Sequence, residues 1–240
     1  MRKFYRRIVF SKTPLKSQFR YRDRFQILPI DSEIAPLSPY SKHIPLLLEY
    51  YIDFDDKQNP KEIDIFDDLS AQHVIEFEIL NILSVLSNHR FFRYSNVVSQ
   101  WAMLAPDTEF KNLNQEQKDS YNNQYSSWTV GGYVYPGLRE EMEIKEFTDK
   151  KYPETPLVSP YFTYFTQDPV ENPKGEILFP ETIYSCLDNY YLLSAKTLKK
   201  IKSSVALVCD GMDISDSKRS LAFLSFVSAI EALEIGRAHV

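Results

Sequence analysis

The chain has 240 residues, 43% hydrophobic and 25% charged, with a formal net charge of −5. This composition excludes collagen, a coiled-coil rod and wholesale disorder. Two cysteines exclude a disulfide scaffold and a Cys-rich zinc module. Aromatic residues reach 14%, 16 Tyr and 16 Phe among them, so a sizeable core is available.

The charge is uneven. Residues 1–24 carry Arg2, Lys3, Arg6, Arg7, Lys12, Lys16, Arg20, Arg22 and Arg24 against Asp23 alone, so this segment is +8 and the rest of the chain −13. Phe4, Ile8 and Phe10 interleave with the charges, which reads as a basic outer face on a first strand. A phosphate-binding arm is the alternative, with Arg2, Lys3, Arg6, Arg7, Arg20, Arg22 and Arg24 as nucleic-acid contacts. No apolar signal region follows, and no run approaches the ~18 apolar residues of a membrane span. A cytoplasmic protein with no membrane partner is the expectation, and Cys186 and Cys209 are expected as reduced core residues of one helix.

Strands are predicted at Phe4–Phe10, Phe19–Ile30 and Leu46–Phe54, with Pro29, Pro36, Pro39 and Pro45 punctuating the stretch between the last two. An acidic loop follows, without the glycine or terminal glutamate of a calcium loop. Residues 70–87 read as a helix capped by Ser70. Val74, Ile75, Ile79, Ile82, Leu83 and Leu86 form its apolar stripe, and Asn88 ends it. Phe91–Tyr94 and Val97–Leu104 read as extended, and 107–125 as polar with a weak surface helix. Ser126–Tyr135 places two β-rich runs around Gly131-Gly132, a hairpin signal. Met142–Phe147 and Tyr161–Thr166 are further strand candidates. Three prolines and a glycine within 167–180 mark a domain boundary.

Past Pro180 the pattern turns helical. Ile183, Leu187, Tyr190, Leu198, Ile201, Val205 and Val208 step by threes and fours, with no Pro or Gly over 181–210. One helix of about 45 Å is predicted, stopping at Gly211. Ser215 or Asp216 is expected to cap a second helix. Ala222, Phe223, Phe226, Ala229, Ile230 and Leu233 share one of its faces. The fold class predicted is α+β: a mixed or antiparallel sheet with one main helix over 1–178, then a truncated helical hairpin over 179–234. Two helices alone cannot bury both apolar faces. Phe223, Phe226, Ile230 or Leu233 should therefore be partly exposed or packed on the N-terminal part.

Residues 235–240 leave the amphipathic pattern. The string ATC GGA AGA GCA CAC GTC encodes them and matches the start of a common short-read sequencing adapter. They are expected to be adapter-derived, with the native chain continuing past Glu234.

Strong catalytic motifs are missing: no phosphate loop, no GxGxxG, no HExxH, no GxSxG and no CxxC. His43, His73 and His89 lie far apart, and no metal or cofactor is implied. His89 beside Arg90 is expected to make a helix-dipole contact. One weak constellation remains: Pro106-Asp107 ahead of Glu143-Ile144-Lys145 resembles the PD…(D/E)xK arrangement of metal-dependent nucleases. There, carboxylates such as Asp107 and Glu143 hold Mg²⁺ and a lysine such as Lys145 orients the attacking water.

Ser217-Lys218-Arg219-Ser220-Leu221-Ala222-Phe223-Leu224-Ser225-Phe226-Val227-Ser228-Ala229-Ile230-Glu231-Ala232-Leu233 resembles a core helix of bacterial HEPN-type proteins, notably the Apea-like group. The likeness covers about 181–234. It implies an RNA-directed protein of defence or toxin–antitoxin type that self-associates through its helical part. The HEPN ribonuclease motif is Arg, four to six residues, then His, and no Arg–His pair here has that spacing. Either this relative is non-catalytic, or its catalytic part lies outside this chain. A non-enzymatic interaction protein, using its aromatic sheet and basic N-terminal arm, is the alternative reading.

Overall fold

The computed structural model describes residues 2–30, 43–54, 65–93, 98–99, 114–116, 128–129, 144–149, 151–166 and 175–234. Its centre is an antiparallel sheet of β1 (Arg2–Ser11), β2 (Phe19–Tyr21), β3 (Phe25–Pro29), β4 (Ile44–Asp53) and β5 (Phe91–Phe92), in the order β2-β3-β4-β1-β5. The fold is α+β, as the residue pattern predicts.

Alternation sorts the central strands onto two faces. Tyr5 and Val9 of β1, Phe25 and Ile27 of β3, and Leu46, Leu48 and Tyr50 of β4 point to one face. There they meet Ile79, Leu80, Ile82, Leu83 and Leu86 of α1 (Ile65–Ser87). Fully burying a Leu or Phe side chain contributes about 1.5–3 kcal/mol, so this layer supplies the main driving force. The opposite face is also buried, at Ile8, Phe10, Leu28 and Leu47. Covered on both sides, β4 reads as a near-continuous apolar run.

The core does not stop at 178. Ile177, Phe179, Ile183, Leu187 and Tyr190 belong to the same buried cluster as the sheet. The Ile177 N–H donates to the Pro14 carbonyl at 2.8 Å. Apolar packing therefore runs across the expected boundary, of which 167–174 lie outside the described residues. Two small pairings complete the strands. Antiparallel β6 (Val98–Ser99) pairs with β7 (Trp128–Thr129), and β8 (Leu157–Val158) runs parallel to β9 (Phe179–Pro180). The Gly-Gly hairpin lies outside the described residues.

The helices depart from the sequence reading in four places. α1 begins at Ile65, so Ser70 lies inside it rather than at its cap. Asn88 does end it, with φ 57° in the left-handed region. The expected 181–210 helix is two: α2 (Ile183–Tyr191) and α3 (Ala195–Ile214). Ser194 is the N-cap of α3 and accepts the Thr197 N–H at 3.3 Å. The break lets α2 enter the sheet core while α3 runs against α1, and it places Cys186 and Cys209 on different helices. Gly211 is not a stop but an interior, buried position of α3. A Cβ there would lie 2.5 Å from the Phe226 ring of α4 (Arg219–Glu234), so only glycine allows this approach. Ser215 is the C-cap of α3 and α4 starts at Arg219, so neither Ser215 nor Asp216 begins the second helix.

Two strand expectations also fail. Phe162–Thr166 is a π-helical turn, held by the Ser159 carbonyl and by the Tyr164 hydroxyl, which donates to the Leu86 carbonyl at 3.2 Å. The described part of Met142–Phe147, residues 144–147, is not a strand, and Met142 and Glu143 lie outside the described residues.

α3 and α4 form the helical hairpin. Ala222 and Ala229 are buried, and the Ser204 hydroxyl donates to the Ala229 carbonyl at 2.8 Å. Phe223 is 65% exposed and Ile230 59%, with Leu221, Leu224 and Leu233 also exposed. The expectation of an uncovered apolar face on this helix is met. One described stretch, Leu69–Ser87 of α1, has the length and mean hydropathy (1.3) of a membrane span. The run missed in the sequence is the core helix, whose inner side chains pack on the sheet.

Candidate functional site

The predicted arm does not stay together as one basic surface. Arg6 faces the second side of the sheet, where its side chain is 1% exposed and lies 3.1 Å from Glu49. Arg6 and Glu49 are directly paired across β1 and β4, and Gln26 pairs with Glu49 across β3 and β4. Thr148 closes the row from above. Its N–H and hydroxyl both donate to Glu49, at 2.9 and 2.6 Å. Arg6 is thus a structural cation, because an unpaired charge at this depth is costly. Arg7 points to the other face, half-buried, and donates to Gln72 of α1. Lys3 lies over the Phe54 ring at 5.2 Å. Arg6 and Arg7 are corrected out of the nucleic-acid set.

Arg2, Arg20, Arg22 and Arg24 lie at or beside the β2–β3 turn, and all four are exposed. Each guanidinium lies over an aromatic ring: Arg2 over Tyr51 at 4.3 Å, Arg20 over Phe147 at 4.5 Å, Arg22 over Tyr21 at 5.6 Å and Arg24 over Tyr191 at 4.3 Å. Such stacking holds the flat cation while leaving its N–H edge in water. Phe147 is fixed in turn by Phe4 and Tyr51, with ring centroids 5.9 and 4.9 Å away.

The turn itself is strained. Arg22 has φ 51°, which costs a non-glycine residue roughly 1–2 kcal/mol. It is held by its ion pair with Asp188 at 2.6 Å and by its carbonyl, which accepts Arg20 Nε at 2.9 Å. Two of the four charges are matched by acids: Arg22 by Asp188, and Arg2 by Asp23 at 2.9 Å and Asp53 at 3.5 Å. The hydrogen bond from Arg2 holds the Asp23 carboxyl below its ordinary value. Arg20 and Arg24 have no acid partner among the described residues, so their charge is available to an anion.

The phenols nearby stay protonated. Burial, then the hydrogen bond to Asp188, pushes Tyr21 up to about 12. Burial also raises Tyr191, with Glu78 adding to it. Two hollows flank the turn. One of about 220 Å³ is lined by Arg2, Arg24, Tyr51 and Tyr191. The other is larger and lies on the β2 edge, beside Arg20 and Tyr184.

Of the nuclease candidates, Lys145 is exposed, and Asp107 and Glu143 lie outside the described residues. Among the described residues no three of His, Cys, Asp and Glu come together as a metal site. His89 is 4% exposed and its backbone N–H donates to the Ser87 hydroxyl at 3.2 Å, while His73 packs on Phe77. The aromatic half of the arginine cluster was missed in the sequence. The sequence places Tyr51 only in a strand and sets Tyr191 beside the apolar-stripe residue Tyr190, so neither stands out as an arginine partner. No family model, curated protein or solved structure gives a significant match to the chain.

Proposed function

We propose that the chain is part of a cytoplasmic, HEPN-like protein that binds single-stranded RNA through the β2–β3 turn. The observation that carries this reading is the set of four exposed guanidiniums, each seated on its own aromatic ring, two without an acid partner among the described residues. Proteins that hold single strands combine cationic tracks with exposed aromatic or guanidinium planes on which bases stack. Arg20 and Arg24 would contact phosphates, while Arg2 and Arg22 fix the turn. The role assigned to this turn is binding; among the described residues no acid–base or nucleophile constellation accompanies the arginines.

The resemblance of 181–234 to HEPN helices gives the hairpin its part. The apolar side chains of α4 left in water, Phe223, Leu224 and Ile230, favour self-association through this helix. The RNA reading is tested by fluorescence anisotropy with a labelled single-stranded RNA 12-mer at low salt. Arg20→Ala/Arg24→Ala should weaken binding at least tenfold, whereas Lys145→Ala should leave it unchanged. Equal affinity of wild type and the double variant removes the turn from the site.

A further inference from the structure

The larger hollow beside the arginine turn has a volume of about 400 Å³, within the range of small-ligand sites. It lies against the outer edge of the sheet, where Gln18 bridges to Glu154: the Gln18 N–H donates to the Pro153 carbonyl at 2.8 Å, and the Thr155 N–H to the Gln18 carbonyl at 3.0 Å. Its lining sorts into three chemistries. Tyr152 and Tyr184 offer aromatic surface, Arg20 offers positive charge, and Glu154 offers a carboxylate. Tyr184 is held in place by its hydroxyl, which donates to the Arg20 carbonyl at 3.2 Å, and by the Phe19 ring 5.6 Å away.

The orientation of Gln18 follows from the buried row behind it. The Glu49 carboxylate only accepts, so Gln26 turns its Nε2 to Glu49 and its Oε1 outward. That oxygen accepts Nε2 of Gln18 at 3.0 Å. Oε1 of Gln18 is therefore left as an acceptor, and it has no hydrogen-bond partner among the described residues although the residue is only 6% exposed. Leaving a buried acceptor unsatisfied costs about 1–3 kcal/mol. Gln18 thus closes the inner wall of the hollow, its side chain fixed by the buried row.

We propose that this hollow binds a nucleobase with its phosphate, the ring against Tyr184, the phosphate at Arg20 and the N–H edge of the base toward Glu154. The choice of ligand rests on the RNA reading above. A carboxylate accepts two bonds from the adjacent N1–H and N2–H of guanine, whereas adenine presents one donor beside an acceptor. Guanine is therefore the preferred base. The source is either a residue of single-stranded RNA or a free guanine nucleotide.

The test titrates the full chain by isothermal calorimetry with guanosine 5′-monophosphate, adenosine 5′-monophosphate and ribose 5-phosphate, and separately with the RNA 12-mer. The expected result is guanosine monophosphate binding at least tenfold tighter than ribose 5-phosphate, and tighter than the adenosine nucleotide. Tyr184→Ala should lose about tenfold, consistent with one base–aromatic stack. Tyr184→Phe, which keeps the ring, should retain binding. Glu154→Gln, at an exposed position, should abolish the guanine preference without affecting folding. If the 12-mer binds but guanosine monophosphate binds no better than ribose 5-phosphate, the pocket is refuted and the RNA reading survives. If guanosine monophosphate binds and the 12-mer does not, the pocket stands with a free nucleotide as its ligand and the RNA reading falls. Failure of both ligands refutes both.

Discussion

Replacing Gly211 by alanine sets two opposed effects against each other on α3. In a helix interior alanine is favoured over glycine by about 1 kcal/mol. The new Cβ, however, would lie 2.5 Å from one atom of the Phe226 ring and 2.9 Å from two others, well inside contact distance. Overpacking of this kind typically costs about 1–3 kcal/mol. Gly211→Ala should therefore destabilise the protein by up to about 2 kcal/mol in urea denaturation. In a Phe226→Ala background the ring is gone, and the same change should stabilise by about 1 kcal/mol. The difference between the two backgrounds, about 1–3 kcal/mol, measures the contact between α3 and α4 directly. A glycine ending the helix at C′ would instead lose stability equally in both backgrounds. A coupling below ~0.5 kcal/mol would refute the packing described here.

The buried row makes a second stability prediction. Glu49→Ala leaves the Arg6 guanidinium without its carboxylate at 1% exposure and should cost about 3–5 kcal/mol, whereas Arg6→Leu/Glu49→Leu should recover most of that loss in the same denaturation assay. Glu76 of α1 is held above the ordinary carboxylate value, mainly by burial, against the opposing pull of Arg93 and Arg7. A raised carboxyl binds its proton more tightly in the folded state. Wild type should therefore lose stability relative to Glu76→Gln as pH rises from about 4.5 through the folded value, and a gap independent of pH would contradict this. On α4, Phe223→Ser/Ile230→Ser should reduce concentration-dependent association in sedimentation velocity without lowering stability, because both side chains are more than half exposed. Unchanged association would exclude that face.

The sheet was legible where alternation was uninterrupted. Phe4–Phe10 and Leu46–Phe54 correspond to β1 and β4 because their apolar residues continue across both faces. Phe19–Ile30 read as one strand because its break carries no Gly or Pro. The signal was Arg22-Asp23-Arg24, three charges in a row inside an aromatic pattern, with the left-handed residue stabilised by Asp188 166 positions away. The split between α2 and α3 was hidden for the same reason: Ser194 caps by a side-chain hydrogen bond, and its spacing coincides with the helical stripe. Gly211 read as a stop because sequence cannot distinguish a glycine that ends a helix from one that admits a ring from another. The arginines of the site were visible as a count. Which of them are structural was not, since Arg6 and Arg7 look alike until alternation places one beside Glu49 and the other beside Gln72. The rings that hold Arg20 and Arg24 come from segments more than 120 residues distant, beyond any local pattern.

The central claim, that Arg20 and Arg24 contact the phosphates of single-stranded RNA, is tested most directly by the salt dependence of binding. Each neutralised phosphate of a single strand contributes about −0.7 to the slope of log K against log salt. Wild type should show a slope of about −1.4 or steeper with the 12-mer, and Arg20→Ala/Arg24→Ala should flatten it by about 1.4. A wild-type slope near zero, or one that the double variant leaves unchanged, would contradict the account.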